Sequence, residues 1–369
     1  MRTIFFLIQK EFIQIFRNKT MLPLIFAIPI VQLVVLVNAA TLDMKRIDMT
    51  VVDKDMTYTS RDMIRKFEGS PFYRVSKATF SIQEAEATLK DNTADIVIHI
   101  PQGFEKDLLV EKEANVQFLI NAINGTAAGL INAYTSSIIS DFNQKIIVDH
   151  TGKDFELPVE VNSRYFFNAQ LDYNIYMLPG ILVILVSLIG MFLTALNIVR
   201  EKELGTIEQL NVTPIKKYQF IVGKMIPFMV IALFEFAFGL IIGHIFFGLP
   251  MEGSYAVLFL FTFIYLLVAL GFGLFLSAIS NSQQQVMFVM FFFMLTFILM
   301  SGIFTPTDSM PEWAKVVNVI NPFAYFMKVI RMIILKGSGL ADIRHEIYSL
   351  LIYAGIILSL ATWRYKKVA

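Results

Sequence analysis

The sequence predicts an α-helical polytopic membrane protein with six transmembrane helices and an α/β domain inserted on the extracytoplasmic side. Three observations carry that prediction. Of 369 residues, 56% are hydrophobic, and mean hydropathy is +0.62; an ordinary soluble domain is about 45–50% apolar. The apolar residues gather into runs of about 20, the length that crosses a bilayer. Charge is also partitioned: residues 39–170 hold 14 Lys and Arg against 19 Asp and Glu, and the remainder holds 17 against 11. An acidic polar block is thus set into a basic apolar frame.

Residues 1–20 come first. Phe5, Ile8, Phe12 and Ile15 share one helical face, and Lys10, Gln14, Arg17 and Asn18 share the other. That pattern predicts an amphipathic helix lying in the cytoplasmic membrane surface. Met21–Val37, within residues 21–38, is the first span, with Pro23 and Pro29 as kinks and no small-residue cleavage site after it, so it reads as an uncleaved anchor. Residues 39–172 alternate short β-like and helical runs. Asp48–Asp53, Ala94–Ile100 and Val116–Ile120 read as strands. Thr57–Phe67, Ile82–Lys90 and Thr126–Ile147 read as helices, the last after an Asn124-Gly125 turn. Residues 173–369 supply five more spans: Ile175–Val199, Phe220–Phe247, Tyr255–Ile279, Val286–Phe304 and Ile347–Trp363.

The positive-inside rule orients them. Arg2, Lys10, Arg17 and Lys19 precede the first span; Arg200, Lys202, Lys216, Lys217 and Lys224 lie between the second and third; Arg364, Lys366 and Lys367 close the chain. Six spans put these groups on one side, the cytoplasm of a cell membrane, with both termini there and the acidic block outside. Lys315, Lys328, Arg331, Lys336 and Arg344 fall on the outer side and break the rule. Residues 305–340 are therefore read as an outer re-entrant or interfacial segment with Lys328 and Arg331 snorkelling. A seventh span there would carry the C-terminus outside.

Several chemistries are excluded or unsupported. The chain has no cysteine, hence no disulfide or thiolate site. It has no G-x-x-x-x-G-K-[ST], so it does not hold nucleotide phosphates by that route. There is no G-x-S-x-G elbow, and His345-Glu346 lacks the second histidine of a zincin. With four scattered histidines a catalytic metal site is not expected, nor is a catalytic residue of any kind. A net charge of +1 implies no nucleic-acid partner.

Residues 200–217 are the most informative segment. Arg200, Glu201, Lys202 and Glu203 continue a helix out of the apolar run, Gly205 can bend it, and Thr206–Leu210 suggests a short second helix that Thr213-Pro214 ends. A rigid charged projection and an ordinary charged loop both fit this pattern. The stretch REKELGTIEQLNVTP resembles the cytoplasmic loop of permeases of the type-2 ABC transporter (ABC-2) family. A second stretch, with Pro306, Met310, Pro311, Trp313, Asn321, Pro322 and Tyr325, is similar to that family's outer re-entrant motif, P-x-x-x-M-P-x-W followed by N-P-x-x-Y. The order of elements resembles the family over essentially the whole chain, although Asn211-Val212 replaces a more apolar pair.

The resemblance implies a membrane-spanning exporter subunit that is not itself an enzyme. It binds no cofactor; ATP and Mg belong to a separate ATP-binding cassette subunit. Arg200, Glu201, Glu203, Gly205, Thr206, Glu208, Leu210 and Pro214 would form the coupling segment, with Glu201, Glu203 and Glu208 facing basic groups of the cassette and Leu210 filling an apolar pocket. A second permease protomer, identical or not, and the lipid bilayer are the other implied partners, and the outer domain could dock a periplasmic adaptor.

Glu235, near the middle of the third span, and His244, near its outer end, are the ionisable residues inside the membrane, where such groups are commonly functional. They keep open a proton-driven secondary transporter, although no inverted repeat supports it. A non-transporting scaffold or receptor using residues 39–172 is a further alternative. Phe288, Phe291, Phe292 and Phe293 read as a greasy path or, more simply, as packing and lipid-facing surface.

Overall fold

The structure is a computed structural model that describes residues 2–19, 21–39, 46–151, 167–168, 172–207, 213 and 215–364. The chain divides into two compact units. One comprises Leu42–Ser163, and the other Met1–Thr41 with Arg164–Ala369.

The smaller unit is built on a four-stranded sheet of order β2-β1-β3-β4, where β1 is Ile47–Asp53, β2 Tyr73–Ala78, β3 Ile96–Ile100 and β4 Gln117–Ile120. β1 runs parallel to β2 and β3, and β4 is antiparallel to β3. Both faces are covered, which is why β1 and β3 are buried along almost their whole length. Ile47, Met49 and Val51 join the cluster that includes Met63 and Phe67 of α3 (Tyr58–Glu68) and Ile131 and Phe142 of α6 (Gly125–Thr151). Val52 and Val97 face Ala85 of α4 (Ile82–Lys90). Asn124 caps α6 by accepting from the amides of Thr126 and Ala127 at 3.1 and 3.2 Å. The sequence reading misses β2, an edge strand with one fully buried residue, and the short helix α5 (Phe104–Val110).

The larger unit is helical. It opens with α1 (Arg2–Arg17) and α2 (Met21–Ala39), followed by α7 (Tyr173–Glu203), which contains a π-helical turn at Leu188–Leu193. Then come α8 (Lys217–Phe247), α9 (Tyr255–Ile279), α10 (Gln283–Met300), α11 (Glu312–Asn318), α12 (Pro322–Lys336) and α13 (Arg344–Arg364). Five helices among the described residues, α7, α8, α9, α10 and α13, are long and apolar enough to cross a membrane. The bent pair α11–α12 makes six if taken as one span. The expected first span forms α2, which carries Pro29 inside it, with Pro29–Asn38 a shorter apolar helix.

α9 is the centre of the bundle, packed along α13, α7, α8 and α12. Its Tyr265 is fully buried, 4.4 Å from the ring of Phe326 on α12, and hydrogen-bonds Ser187 at the edge of the π turn. α10 is the opposite case: Phe288, Phe291 and Phe292 stand exposed, whereas Phe293 packs 5.2 Å from the ring of Phe272.

A candidate coupling site and the opposite end of the bundle

α1 reaches α8 through its Leu7, Glu11 and Ile15, spaced one turn apart on one buried stripe. This buried stripe adjoins the expected apolar face and shares Ile15 with it. Phe5 is exposed, Ile8 and Phe12 are half-buried, and a carboxylate occupies the middle of the inward stripe. Leu7 fits because position 223 is glycine: a Cβ there would stand 2.8 Å from the Leu7 Cβ.

The buried carboxylate is tolerated because Lys224 meets it. The Lys224 Nζ lies 2.8 Å from Glu11 Oε1 and 2.7 Å from Glu201 Oε2, and it donates to Asn197 Oδ1 at 2.9 Å. Lys10 closes the cluster from the surface, at 2.5 Å from Glu201 Oε1 and 2.9 Å from Glu11 Oε1. Glu11, Glu201 and Lys224 are only 1, 1 and 2% exposed. Unpaired buried charge is costly, so setting two lysines against two carboxylates offsets the cost of burying them. Partial burial works against the charge on Lys10, yet Glu11 and Glu201 hold its ammonium above the ordinary lysine value.

Two further residues anchor the same helix end. Lys202 donates from Nζ to the carbonyls of Ser277 and Ser280 at the end of α9, the latter at 3.1 Å. Glu203 accepts from the Gln283 amide at 2.7 Å and from its side chain, at the start of α10. Glu201, Lys202 and Glu203 thus tie the tip of α7 to α1, α8, α9 and α10. The helix ends at Leu204, and Gly205 takes φ +70°, a left-handed conformation that favours glycine. The Thr206 hydroxyl donates back to the Glu201 carbonyl at 3.1 Å. Arg200 and Leu204 point outward, Leu204 being 64% exposed.

A second polar region lies at the other end of α7. The corner between α11 and α12 bends by 88° and is held by Asn321. Its Nδ2 donates to the Phe297 carbonyl and to Asn318 Oδ1, both at 2.9 Å, and its Oδ1 accepts from the Phe323 amide at 3.0 Å. Pro322 follows at the first helical position, where its missing N–H costs nothing. The Tyr325 hydroxyl donates to the Val319 carbonyl at 3.0 Å. Pro306 and Pro311 precede short helical turns, and Trp313 is exposed. Lys328 reaches outward to Glu346 at 2.7 Å. Arg331 does not snorkel as expected. It is half-buried, donates to the Gly302 and Tyr176 carbonyls at 2.9 and 3.3 Å, and stacks 3.9 Å above the Tyr176 ring. Pro306, Tyr325, Lys328, Arg331 and Glu346 border an open cavity of about 730 Å³.

Glu235 is 8% exposed and lines an apolar pocket, and among the described residues its two carboxylate oxygens have no hydrogen-bond partner. His244 is exposed and its Nδ1 donates to the Leu249 carbonyl at 3.0 Å, closing the end of α8; it does not line the Glu235 pocket.

The structure therefore gathers Glu201, Glu203, Gly205 and Thr206 at one helix end, with Arg200 exposed beside them. The Glu201 carboxylate, expected to face basic groups of a partner, grips two lysines of its own chain. Glu203 likewise engages Gln283. Glu208, Leu210 and Pro214 lie outside the described residues. The sequence reading overlooks Glu11, Lys224 and Asn197 as a unit. Two signals were present: an acid on the apolar stripe of α1, and Asn197 four residues before Glu201 on one face of α7.

A family model described as ABC-2 family transporter protein matches residues 19–363. The chain is 28% identical over 346 residues to the probable multidrug ABC transporter permease YbhR of Escherichia coli (strain K12), covering 94% of this chain and 93% of that one. It is 26% identical to the probable multidrug ABC transporter permease YbhS of the same strain, covering 89% of this chain and 87% of that one. It is 24% identical to that strain's inner membrane transport permease YhhJ, over 100% of this chain and 98% of the other.

Proposed function

Because the chain belongs to the ABC-2 transporter family, we propose that it is the permease subunit of an exporter driven by a separate ATP-binding cassette subunit, which binds ATP and Mg and hydrolyses the nucleotide. Two permease protomers, identical or sister chains, enclose the path. The termini and the 200–217 segment face the cytoplasm. The unit Leu42–Ser163 lies outside, where it caps the exit or docks an adaptor. α2 supplies the first of six spans, and α11–α12 enters and leaves the outer face.

The buried cluster of Lys10, Glu11, Glu201 and Lys224 carries this reading. A push on an exposed loop moves little unless the loop is rigidly joined to the helices behind it. Here the exposed Arg200 and Leu204 sit on a helix end whose next residues grip four neighbours. The cassette engages this outward surface and the flank of α1, and the cluster passes its movement to α8 and α9. The contact roles first assigned to Glu201 and Glu203 shift to positioning roles.

The chain is co-purified with a candidate cassette, and Arg200→Glu and Leu204→Glu are compared with the unaltered permease. Loss of co-purification or of permease-stimulated ATPase activity, with expression retained, supports the assignment. Unchanged association and ATPase rate in both variants overturns it. Because two relatives are named as probable multidrug permeases, a panel of drug-like compounds is the first to assay in vesicles.

A further inference from the structure

The Glu235 pocket has a composition that neither the coupling site nor the outer corner explains. It holds about 220 Å³ and lies between α2, α7 and α8. Ile25, Leu33, Leu185 and Ile231 form apolar walls, and among the described residues Glu235 is the single ionisable one lining it. Both its oxygens lack hydrogen-bond partners among the described residues, although the residue is more than nine-tenths buried. A carboxyl in such surroundings is stable only with a proton or a cation upon it.

The geometry points to the cation's chemistry. A bare metal ion requires several oxygen or nitrogen ligands. Among the described residues no group of three His, Cys, Asp or Glu side chains could hold one, and the rest of this lining is apolar. A bound cation other than a proton must therefore bring its own apolar body, which describes an organic ammonium. Phe234 and Phe238, on the same helix, also line the pocket and stack with centroids 6.4 Å apart. Aromatic faces beside a carboxylate are the standard means of holding an alkylammonium head. Both rings and Ile30 remain at least 36% exposed, so the pocket opens sideways between α2 and α8. An alkyl tail can leave along that opening.

We propose that Glu235, Phe234 and Phe238 form a binding site for amphipathic organic cations, with the ammonium at the carboxylate and the aliphatic chain along the α2–α8 groove. This rests on the permease reading only for the fate of the ligand. Binding is measured on the permease alone, so its failure leaves the cassette assignment standing.

The test uses the full-length chain in lipid nanodiscs, with empty nanodiscs as the partition blank and benzyldimethyldodecylammonium as the probe. Saturable binding at one site per chain is expected, at least about tenfold weaker in Glu235→Gln, with no competition from neutral benzyl dodecyl ether. Ile30→Trp, which fills the mouth and keeps the carboxyl, should weaken binding to a similar degree. Thermal unfolding identifies any variant that fails to fold; if Glu235→Gln fails, Ile30→Trp and the ether competition decide. Binding equal to the unaltered chain in the folded variants, or full competition by the ether, overturns the proposal. So does the absence of saturable binding above the blank.

Discussion

Lys224 sits four residues past the start of an apolar run, where it reads as one more positive charge on the inner rim. In the fold it is 2% exposed and bonded to three groups from two other helices. Such a residue has two energetic faces. Deleting one partner of a buried pair leaves an uncompensated charge and costs about 3–5 kcal/mol, whereas replacing both by apolar groups is often close to neutral. Lys224→Met and Glu201→Met should therefore each lower the stability of the purified protein by about that amount. Lys224→Met with Glu201→Met should recover most of it, because Lys10 and Glu11 still pair at 2.9 Å. Thermal unfolding of the three variants closes a double-mutant cycle, and additive losses would show that the two groups are not coupled. The cluster was hardly legible in sequence. The Lys10-Glu11 pair, Glu201 and Lys224 lie far apart along the chain, and only the fold brings Glu11 of α1 against Lys224 of α8.

Elements were more legible than the contacts between them. The apolar runs placed α7, α8, α9, α10 and α13 within a few residues, because a 3.6-residue period and a length limit are local properties. The strands β1 and β3 were legible for the same reason, as short runs buried on both faces. The edge strand β2 and the inward turn of Arg331 were not, because a neighbour decides each of them. Gly205 is intermediate. Glycine after a charged helix end suggests a bend, and the structure places it at φ +70° directly after the anchored tip. A β-branched residue there costs about 1–2 kcal/mol in backbone strain. It would also redirect the segment that leaves the tip while leaving the buried cluster intact. Gly205→Val should thus fold and associate with the cassette but lose permease-stimulated ATPase activity, where Gly205→Asn, tolerant of this conformation, should retain most of it. Equal activity in both variants would detach the bend from coupling.

At the scale of the whole molecule, α7 works as a ruler. Tyr176 near its start meets Arg331, and Glu201 near its end meets Lys224. At about 1.5 Å per residue these two polar sites stand about 37 Å apart, more than the roughly 30 Å of a hydrocarbon core. They belong to opposite faces of a membrane. α12 is too short to cross: 15 residues reach about 22 Å. Moreover, Arg331 binds the Gly302 carbonyl beyond the end of α10 and the Tyr176 carbonyl of α7, which keeps α12 at one face. In the proposed arrangement the segment returns to the side it came from, and α13 brings the chain back to the face that holds Glu201. The absence of cysteine makes this directly measurable. Single cysteines at Leu204, Ile123 and Trp363, all exposed positions, are labelled with a membrane-impermeant maleimide before and after permeabilisation. Ile123→Cys should react in intact cells, and Leu204→Cys and Trp363→Cys only after permeabilisation. Reaction of Trp363→Cys in intact cells, with Leu204→Cys protected, would mean that α11–α12 crosses after all. Reaction of Leu204→Cys in intact cells would invert the whole arrangement and remove the cytoplasmic cassette from the site built around Glu201.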